Sequence, residues 1–288
     1  MESVRIGIIG GSGLYQMAGL MDVEERRVST PFGDPSDVLL IGVLEGVRVA
    51  FVARHGRGHR LMPGEVNYRA NIFALKSLGV AQVVGISACG SLREHLHPGE
   101  IVIPHQLYDH TKNRVYTFFG QGLVAHIGIA DPFCARLAGH LADATAEAGG
   151  TVHRGGNFIT IEGPRFSTKA ESFAYRAWGM DIIGMTTSPE AFLAREAEIC
   201  YATMAHVTDY DVWHESEEAV NVEMLLGTLA ANTELAQNAL RILIPRLAST
   251  ARDCECKDAL ATALITQRDL IPAEKKKQLA PLVGRYLD

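Results

Sequence analysis

The sequence is poor in cysteine and in long uncharged apolar runs, and each shortage excludes a class of protein. Five cysteines among 288 residues are too few for a disulfide scaffold, and their spacing matches no zinc-binding motif. The closest pair, Cys254 and Cys256, would close a small strained ring as a disulfide, so free thiols are expected. The longest apolar candidate, residues 38–53, is interrupted by Glu45 and Arg48, so no membrane span is predicted.

Targeting signals and an excess of positive charge are also missing. Met1 leads almost directly into an apolar segment with no cleavage-site pattern after it, so a cytoplasmic protein is expected. The formal net charge of −6 is spread along the chain, which argues against a nucleic acid or an anionic membrane as the main partner. An anionic substrate would therefore need a local basic pocket.

Hydrophobic residues make up 47% of the chain, enough for a large core, and strand-like and helical segments alternate along it. This pattern predicts an α/β fold in a single domain, with a central mixed β-sheet flanked by helices over residues 1–250. Residues 251–288 are predicted to be a C-terminal helical extension of the same domain. The predicted strands are residues 4–9, 38–44, 47–53, 81–87, 99–104, 157–161, 180–184 and 199–207, and the predicted helices are residues 67–78, 131–149, 167–178, 189–198 and 217–248.

Two loops that follow predicted strands have compositions suited to an anion. In residues 10–13, glycines allow backbone N–H groups to approach a ligand and Ser12 adds a hydroxyl, although a plain tight turn is the alternative. Residues 53–60 contain three arginines and two histidines, which favours a phosphate cradle over a solvated basic surface. A zinc site at His55 and His59 would lack a third nearby ligand.

Three further loops leave a structural and a functional interpretation open. Residues 85–92 resemble a nucleophile elbow only superficially, because Cys89 replaces the final glycine, and a structural thiol is expected there. Phe166 either packs in the core or stacks on a planar base, and Ser167 is a candidate helix N-cap. Met185 and Thr186 follow a predicted strand and are placed to face a ligand from one loop.

Two carboxylates follow the last predicted strand. Asp209 and Asp211 are separated by one residue, and on an extended segment such side chains point the same way. An acidic pair at a pocket mouth can accept hydrogen bonds from an amino group and pass a proton to a ring nitrogen. A 6-aminopurine leaving group needs both functions. A turn with solvated acids is the alternative interpretation.

In this order and spacing, the segments resemble the trimeric purine nucleoside phosphorylase superfamily, and within it most closely the S-methyl-5′-thioadenosine phosphorylase family. The resemblance runs from about residue 6 to about residue 249. It rests on the motifs at residues 7–14, 30–36, 53–56, 63–68, 88–92, 160–166, 185–187 and 208–211.

The resemblance implies an enzyme, a pentosyltransferase, that cleaves the N-glycosidic bond of S-methyl-5′-thioadenosine with phosphate. The products would be adenine and 5-methylthioribose 1-phosphate, with inorganic phosphate as co-substrate and no metal or organic cofactor. The resemblance also implies a homotrimer that binds neither nucleic acid nor membrane. A purine nucleoside phosphorylase acting on adenosine or 6-oxopurine nucleosides, and a non-catalytic nucleoside-binding protein, remain alternatives.

The resemblance assigns roles to individual residues. Asp209 and Asp211 would be catalytic and would read the base. Val222 and Leu225 also fall on an apolar helix face, and for Val222 core packing is the alternative. The implied phosphate ligands are Ser12, Arg54, His55, Ser87, Ala88 and Thr186. The implied nucleoside contacts are Phe166, Ser167, Met185, Asp209, Asp211, Val222, Leu225 and, from a neighbouring subunit, His126.

Overall fold

A mixed β-sheet of eleven strands runs through the part of the chain that the computed structural model describes, namely residues 4–11, 14, 16, 19–214 and 222–287, with the backbone alone for residues 222–231. The strands are β1 (Ile6–Gly10), β2 (Met21–Arg26), β3 (Leu39–Leu44), β4 (Val47–Ala53), β5 (Gln82–Ser91), β6 (Ile101–Ile103), β7 (Gln106–His110), β8 (Val152–Arg154), β9 (Asn157–Ile161), β10 (Ile182–Gly184) and β11 (Cys200–Asp209). The helices are α1 (Tyr68–Ser77), α2 (Ala135–Glu147), α3 (Lys169–Ala177), α4 (Thr187–Glu196), α5 (Val222–Ser249), α6 (Ala273–Gln278) and α7 (Ala280–Leu287).

The sheet branches at β5. The main strand order is β2-β3-β4-β1-β5-β10-β9-β7, while β11 pairs with the other side of β5 and continues to β6 and β8. Strands β4, β1, β5 and β11 are mutually parallel, so their carboxyl ends meet at one edge. Residues 82–85 of β5 pair with β1, whereas Gly90 and Ser91 pair with β10. Residues 86–89 therefore have no strand neighbour on that side within the described residues.

Helices cover both faces of the sheet, which confirms the predicted fold class. On one face, α1 and α4 pack with the C-terminal segment, whose Leu260 and Leu282 are buried in the same cluster as Phe73. On the other face, α2 and α5 bury Leu137 and Leu240 against the sheet. None of the helices described here is long and apolar enough to cross a membrane.

The predicted hairpin of β3 and β4 is confirmed. The two strands are antiparallel, and the loop consists of Glu45 and Gly46. Both loop residues have positive φ, 48° and 77°, as the tight two-residue turn of a twisted hairpin requires.

Several predicted boundaries are wrong, at α2 because a tertiary contact overrides the local signal and at α3 because a local capping box lies one residue after the predicted cap. Helix α2 begins at Ala135 rather than Asp131, since the backbone N–H of Cys134 donates to the carbonyl of Tyr201 at 2.8 Å. Helix α3 begins at Lys169, and its N-cap is Thr168, which forms a capping box with Glu171. Strand β5 continues to Ser91, four residues beyond the predicted end.

The remaining differences concern segments with weak apolar patterns. Strands β2, β7 and β8 were not predicted, because their residues are largely exposed or half-buried and carry no continuous apolar run. Helix α5 is present from Val222, and the predicted start at residues 217–221 lies outside the described residues.

Candidate active site

The parallel strands bring most of the predicted phosphate ligands to one edge of the sheet. Strand β1 ends at Gly10, whose carbonyl accepts the backbone N–H of Arg54 at 3.0 Å. Arg54 and His55 directly follow β4, and Ser87 and Ala88 lie in the carboxyl half of β5. Ligands of open α/β sheets bind at such an edge. Ser12 lies outside the described residues.

Ser87 and Ala88 lie in the stretch of β5 that has neither β1 nor β10 beside it. Both residues are only half-buried, yet the Ser87 hydroxyl oxygen is buried and has no hydrogen-bond partner among the described residues. The gap between the two flanking strands therefore presents a polar side chain and an open strand edge. Such a gap is suited to an oxyanion.

Arg54 borders this gap but is paired inside the protein. It is 3% exposed and forms a two-point ion pair with Glu190 of α4, with both N···O distances at 2.8 Å. Its Nη1 donates to the carbonyl of Ile86, and its Nη2 also donates to that of Ile9. Burial alone would lower the pKa of Arg54, but the Glu190 carboxylate outweighs it and raises that pKa. Arg54 is thus a fixed cation with one Nη1 hydrogen remaining for a ligand.

His55 is neutral at physiological pH. Burial and the Arg54 charge lower its pKa to about 4. Its Nδ1 lies 2.9 Å from the carbonyl oxygen of Leu61, which can only accept, so Nδ1 carries the hydrogen. Nε2 is therefore a hydrogen-bond acceptor, suited to a protonated phosphate oxygen rather than to a bare one.

Thr186 is buried between β10 and α4, in a loop that one arginine holds in place. The Nη1 of Arg114 donates to the carbonyls of Met185 and Ser188 at 2.6 and 2.7 Å, and its Nη2 donates to that of Glu162 at 2.7 Å. Sequence reasoning missed Arg114, because nothing in its polar surroundings distinguishes it from a surface arginine. Glu190 was missed because it was interpreted only as part of a helix.

The acidic pair is formed, but not by the predicted geometry. Asp209 is the last residue of β11, whereas Asp211 has a φ of 51° and lies in the following turn. The expectation of an extended segment with both side chains on one side is wrong at Asp211. The turn instead folds back, so that the backbone N–H of Asp211 donates to Oδ1 of Asp209 at 2.8 Å. A Cβ at Gly90 would lie 2.8 Å from that same Oδ1, so only glycine leaves room for the carboxylate.

Both carboxylates favour the protonated form more than ordinary aspartates. Burial raises the pKa of Asp209, and the Asp211 carboxylate adds to this, against hydrogen bonds from the Thr208 hydroxyl (2.6 Å) and the Asp211 backbone. Burial also raises the pKa of Asp211, and the approaching hydroxyls of Ser172 and Ser167 lower it in part. These approaches fall short of hydrogen-bond geometry, because both hydroxyls and Asp211 Oδ2 are buried without a partner in the described residues.

The remaining predicted base and ribose contacts lie around this pair. Because Thr168 caps α3, the hydroxyl of Ser167 is available to face Asp211. Phe166 is 39% exposed, which excludes the core interpretation for its ring. Met185 packs over Gly163, where a Cβ would come within 2.6 Å of its sulfur.

Three predicted nucleoside contacts are not brought to the pair by the described structure. Val222 and Leu225 belong to the first turn of α5, and their side chains lie outside the described residues. His126 is exposed, and its backbone N–H donates to the carbonyl of Ala263 at 2.9 Å.

Comparison with known proteins assigns the fold and the motifs to a family. The model of the phosphorylase superfamily matches residues 5–245 of this chain. The chain belongs to the phosphorylase superfamily. Among its relatives, the S-methyl-5′-thioadenosine phosphorylase of Geobacter sulfurreducens is 54% identical over 288 residues, covering 100% of both chains. That of Koribacter versatilis is 53% identical over 282 residues, covering 98% of this chain and 96% of the relative.

Solved structures of the superfamily give the same result. A methylthioadenosine phosphorylase from an antarctic soil metagenomic library superposes with a TM-score of 0.94 at 49% identity, covering 98% of this chain and 99% of its own. The Schistosoma mansoni methylthioadenosine phosphorylase in complex with adenine has a TM-score of 0.86 at 38% identity, covering 93% and 100%. The family resemblance and the fold class inferred from the sequence are confirmed.

Proposed function

We propose that this chain catalyses the phosphorolysis of S-methyl-5′-thioadenosine to adenine and 5-methylthioribose 1-phosphate. The observation that carries the proposal is the pair of Asp209, which is half-buried, and Asp211, which is buried, both with raised pKa values, at the carboxyl end of the strand next to β5. Full-length relatives at more than half identity carry the name of that enzyme. The alternatives of an adenosine or 6-oxopurine phosphorylase and of a non-catalytic nucleoside-binding protein have no observation that favours them.

The chemistry divides between the two ends of the site. Phosphate in the gap beside Ser87 attacks C1′ as the N-glycosidic bond breaks, and its charge stabilises the cationic ribosyl group. Asp209, whose pKa is raised by burial and by Asp211, donates a proton to N7 of the leaving adenine. Along β5, Ser87 and Gly90, the partner of Asp209, are three residues apart, about 10 Å, which leaves room for a ribose.

The phosphate ligands that we propose are Ser12, Arg54, His55, Ser87, the backbone of Ala88 and Thr186. Arg54 supplies a charge fixed by Glu190, and Ser87 supplies an unpartnered hydroxyl. The neutral His55 accepts from the protonated oxygen of phosphate through Nε2. This set supplies charge and donors for an anion, so the reaction itself needs no metal ion or organic cofactor.

We assign the nucleoside to the remaining predicted residues. Phe166 and Ser167 contact the base, and Met185 contacts the ribose. Val222 and Leu225, whose side chains the structure does not describe, would line an apolar pocket for the 5′-methylthio group. An adenosine 5′-hydroxyl would be left unpaired against such a wall.

We further propose a homotrimer in which His126 reaches a neighbouring site. The support is an exposed apolar surface next to His126: Val124 and Ile265 are paired through their backbones and are 42% and 57% exposed. Exposed apolar patches of this kind mark interfaces. Beside the same segment lies a cavity of about 250 Å³ that contains none of the predicted site residues and is lined by Asp109, Tyr116, Ile127, Ile129, Phe192 and Glu196.

A cytoplasmic location, with small molecules as the only substrates, completes the proposal. None of the five cysteines, all of which lie within the described residues, forms a disulfide, as is usual in a reducing compartment. The net charge of −6 disfavours nucleic acid as a partner.

The direct experiment is to incubate the purified chain with S-methyl-5′-thioadenosine, with and without inorganic phosphate, and to measure adenine release. Release that requires phosphate and yields the sugar 1-phosphate supports the proposal. Release without phosphate would indicate a nucleosidase, and no release would indicate a binding protein, and either result rejects the proposal.

A further inference from the structure

Four of the five cysteines converge at the end of β11 opposite the acidic pair. Cys134 is the N-cap of α2, Cys200 is the first residue of β11, and Cys254 and Cys256 lie between α5 and α6. All four sulfur atoms lie within 4.8 Å of one another. Cys254 is half-buried and the other three are buried. In the sequence only Cys254 and Cys256 are close to each other, and Cys200 lies 54 positions before Cys254, so the four form no recognisable motif.

The distances fit one ion shared by four sulfurs better than two sulfur–sulfur bonds. Zinc–sulfur bonds of about 2.3 Å in a tetrahedron place the sulfurs about 3.8 Å apart. This spacing lies between the Cys200–Cys254 sulfur distance of 3.2 Å and the upper bound of 4.8 Å on all the sulfur–sulfur distances in the cluster. A disulfide would require about 2.05 Å. Each sulfur also has three other sulfurs close to it, whereas in two disulfides each sulfur would need only one sulfur partner.

Cationic side chains surround the cluster. Nε of Arg252 donates to the sulfur of Cys200 at 3.2 Å, and Nη1 of Arg195 donates to that of Cys256 at 3.4 Å. Arg136 also lies against Cys254 and Cys200. Four thiolates around a divalent ion carry a net charge of −2. Guanidinium N–H groups aimed at the sulfurs offset that charge and orient the ligands.

We propose that Cys134, Cys200, Cys254 and Cys256 bind one zinc ion in a closed structural site. Four soft thiolate ligands whose spacing allows tetrahedral coordination favour zinc among the common divalent ions. Binding involves no electron transfer: four thiols release their protons to solvent, four zinc–sulfur bonds form, and the waters of the ion leave.

The ion would act far from the chemistry. Cys200 and Asp209 are the first and last residues of β11, about 30 Å apart along the strand. With no open coordination position, the ion joins the segment after α5 to the sheet and takes no part in phosphorolysis. The zinc site does not depend on the proposed function, because adenine release and metal content are measured separately.

The test is the metal content of the full-length chain, produced in zinc-supplemented medium and purified with reductant but without chelator. We expect about one zinc per chain by plasma mass spectrometry. X-ray absorption should show four sulfur neighbours at about 2.3 Å. The half-buried variant Cys254→Ser should lose most of the zinc. The matched control Cys89→Ala, which removes the only cysteine outside the cluster, should keep it.

Other outcomes reject the zinc site. Protein that contains no zinc, and that does not take it up from added zinc salt, contradicts the proposal. Thiol titration of the denatured chain then shows what is there instead, and five thiols would mean that all the cysteines are reduced. A single thiol would identify two disulfides. Iron in place of zinc, or retention of zinc by both Cys254→Ser and Cys256→Ser, would also overturn it.

Discussion

At the scale of single residues, the site depends on acids and bases whose surroundings change their protonation. Asp209 ends β11 and Asp211 lies in the turn that follows, and each carries a raised pKa. His55 and His206 are shifted in the opposite direction, to a pKa of about 4, because burial disfavours the imidazolium ion. The fold thus shifts these carboxylates toward their protonated form and keeps the two imidazoles neutral at neutral pH.

Asp209→Asn tests whether Asp209 donates a proton to the purine. An amide cannot give its proton to N7, so kcat/KM for S-methyl-5′-thioadenosine should fall about 10²- to 10⁴-fold. The 6-oxopurine analogue should lose much less, because an amide can donate to its O6. Equal losses on both nucleosides would remove Asp209 from base recognition.

Asp211→Asn tests the electrostatic coupling within the pair. The negative charge of Asp211 helps to raise the pKa of Asp209, so removing it lowers that pKa. The protonated form of Asp209 then disappears at a lower pH, and the alkaline limb of the kcat/KM profile should move to lower pH. The coupling would be contradicted if the maximal kcat/KM fell while the alkaline limb stayed at the same pH.

His206 should contribute to acid sensitivity. The pKa of this buried side chain is lowered from 6.5 to about 4, so the unfolded chain binds the extra proton first as the pH falls. Its contribution to stability is complete above about pH 6.5 and is lost toward pH 4, about 3 kcal/mol in all. His206→Gln should flatten the fall of the unfolding free energy over that range, measured by urea denaturation. Equal slopes for His206→Gln and the unmodified chain would contradict the assignment.

At the scale of secondary-structure elements, the sequence predicts what local patterns determine and misses what neighbours impose. The β3–β4 hairpin and the helical spacing of α1 were predicted correctly, because turn residues and apolar periodicity are local. The start of α2 at Ala135 depends on a contact with the distant Tyr201. The N-cap at Thr168 is a local capping box with Glu171, which the choice of the neighbouring Ser167 overlooked. Family motifs indicated Arg54, yet only the folded chain shows that Glu190 of α4 holds it.

Arg54→Ala tests how the β4 loop and α4 together form the phosphate end. Loss of the fixed guanidinium should raise the apparent KM for phosphate roughly 10- to 100-fold. It should also destabilise the fold by about 3 kcal/mol or more, since Glu190 is left buried without its cationic partner and keeps only the hydrogen bond from the Tyr201 hydroxyl. The control Arg57→Ala, in the same loop but 44% exposed, should change neither quantity appreciably. An unchanged KM in Arg54→Ala would exclude Arg54 from the phosphate site.

At the scale of the whole molecule, the C-terminal segment is integrated with the sheet. Leu260 and Leu282 lie in the core formed with α1, and Glu198 next to β11 accepts from Arg285 of α7 at 2.9 Å. The cysteine cluster adds a further connection at the same end of β11. The sequence pattern does not predict this connection, because the four cysteines come from three separate regions of the chain.

Removing the metal should therefore affect stability before activity. Dialysis against a zinc chelator should lower the thermal midpoint by several degrees, while kcat of the folded enzyme at low temperature stays within about twofold. Cys254→Ser should show the same lower midpoint without chelator and no further change with it. A midpoint that does not respond to the chelator, in protein shown to have lost its zinc, would contradict a stabilising role.

Strand β11 lies between β5 and β6, and its residues from Cys200 to Thr208 are all buried. Its amide hydrogens should exchange with deuterated solvent only when the entire molecule opens, later than those of the edge strand β2. Asp209 is attached to the end of this slowly exchanging strand. The carboxylate that we propose to contact the purine is thus held by a buried strand that is paired on both sides, and its placement should persist through any local opening of the surrounding loops.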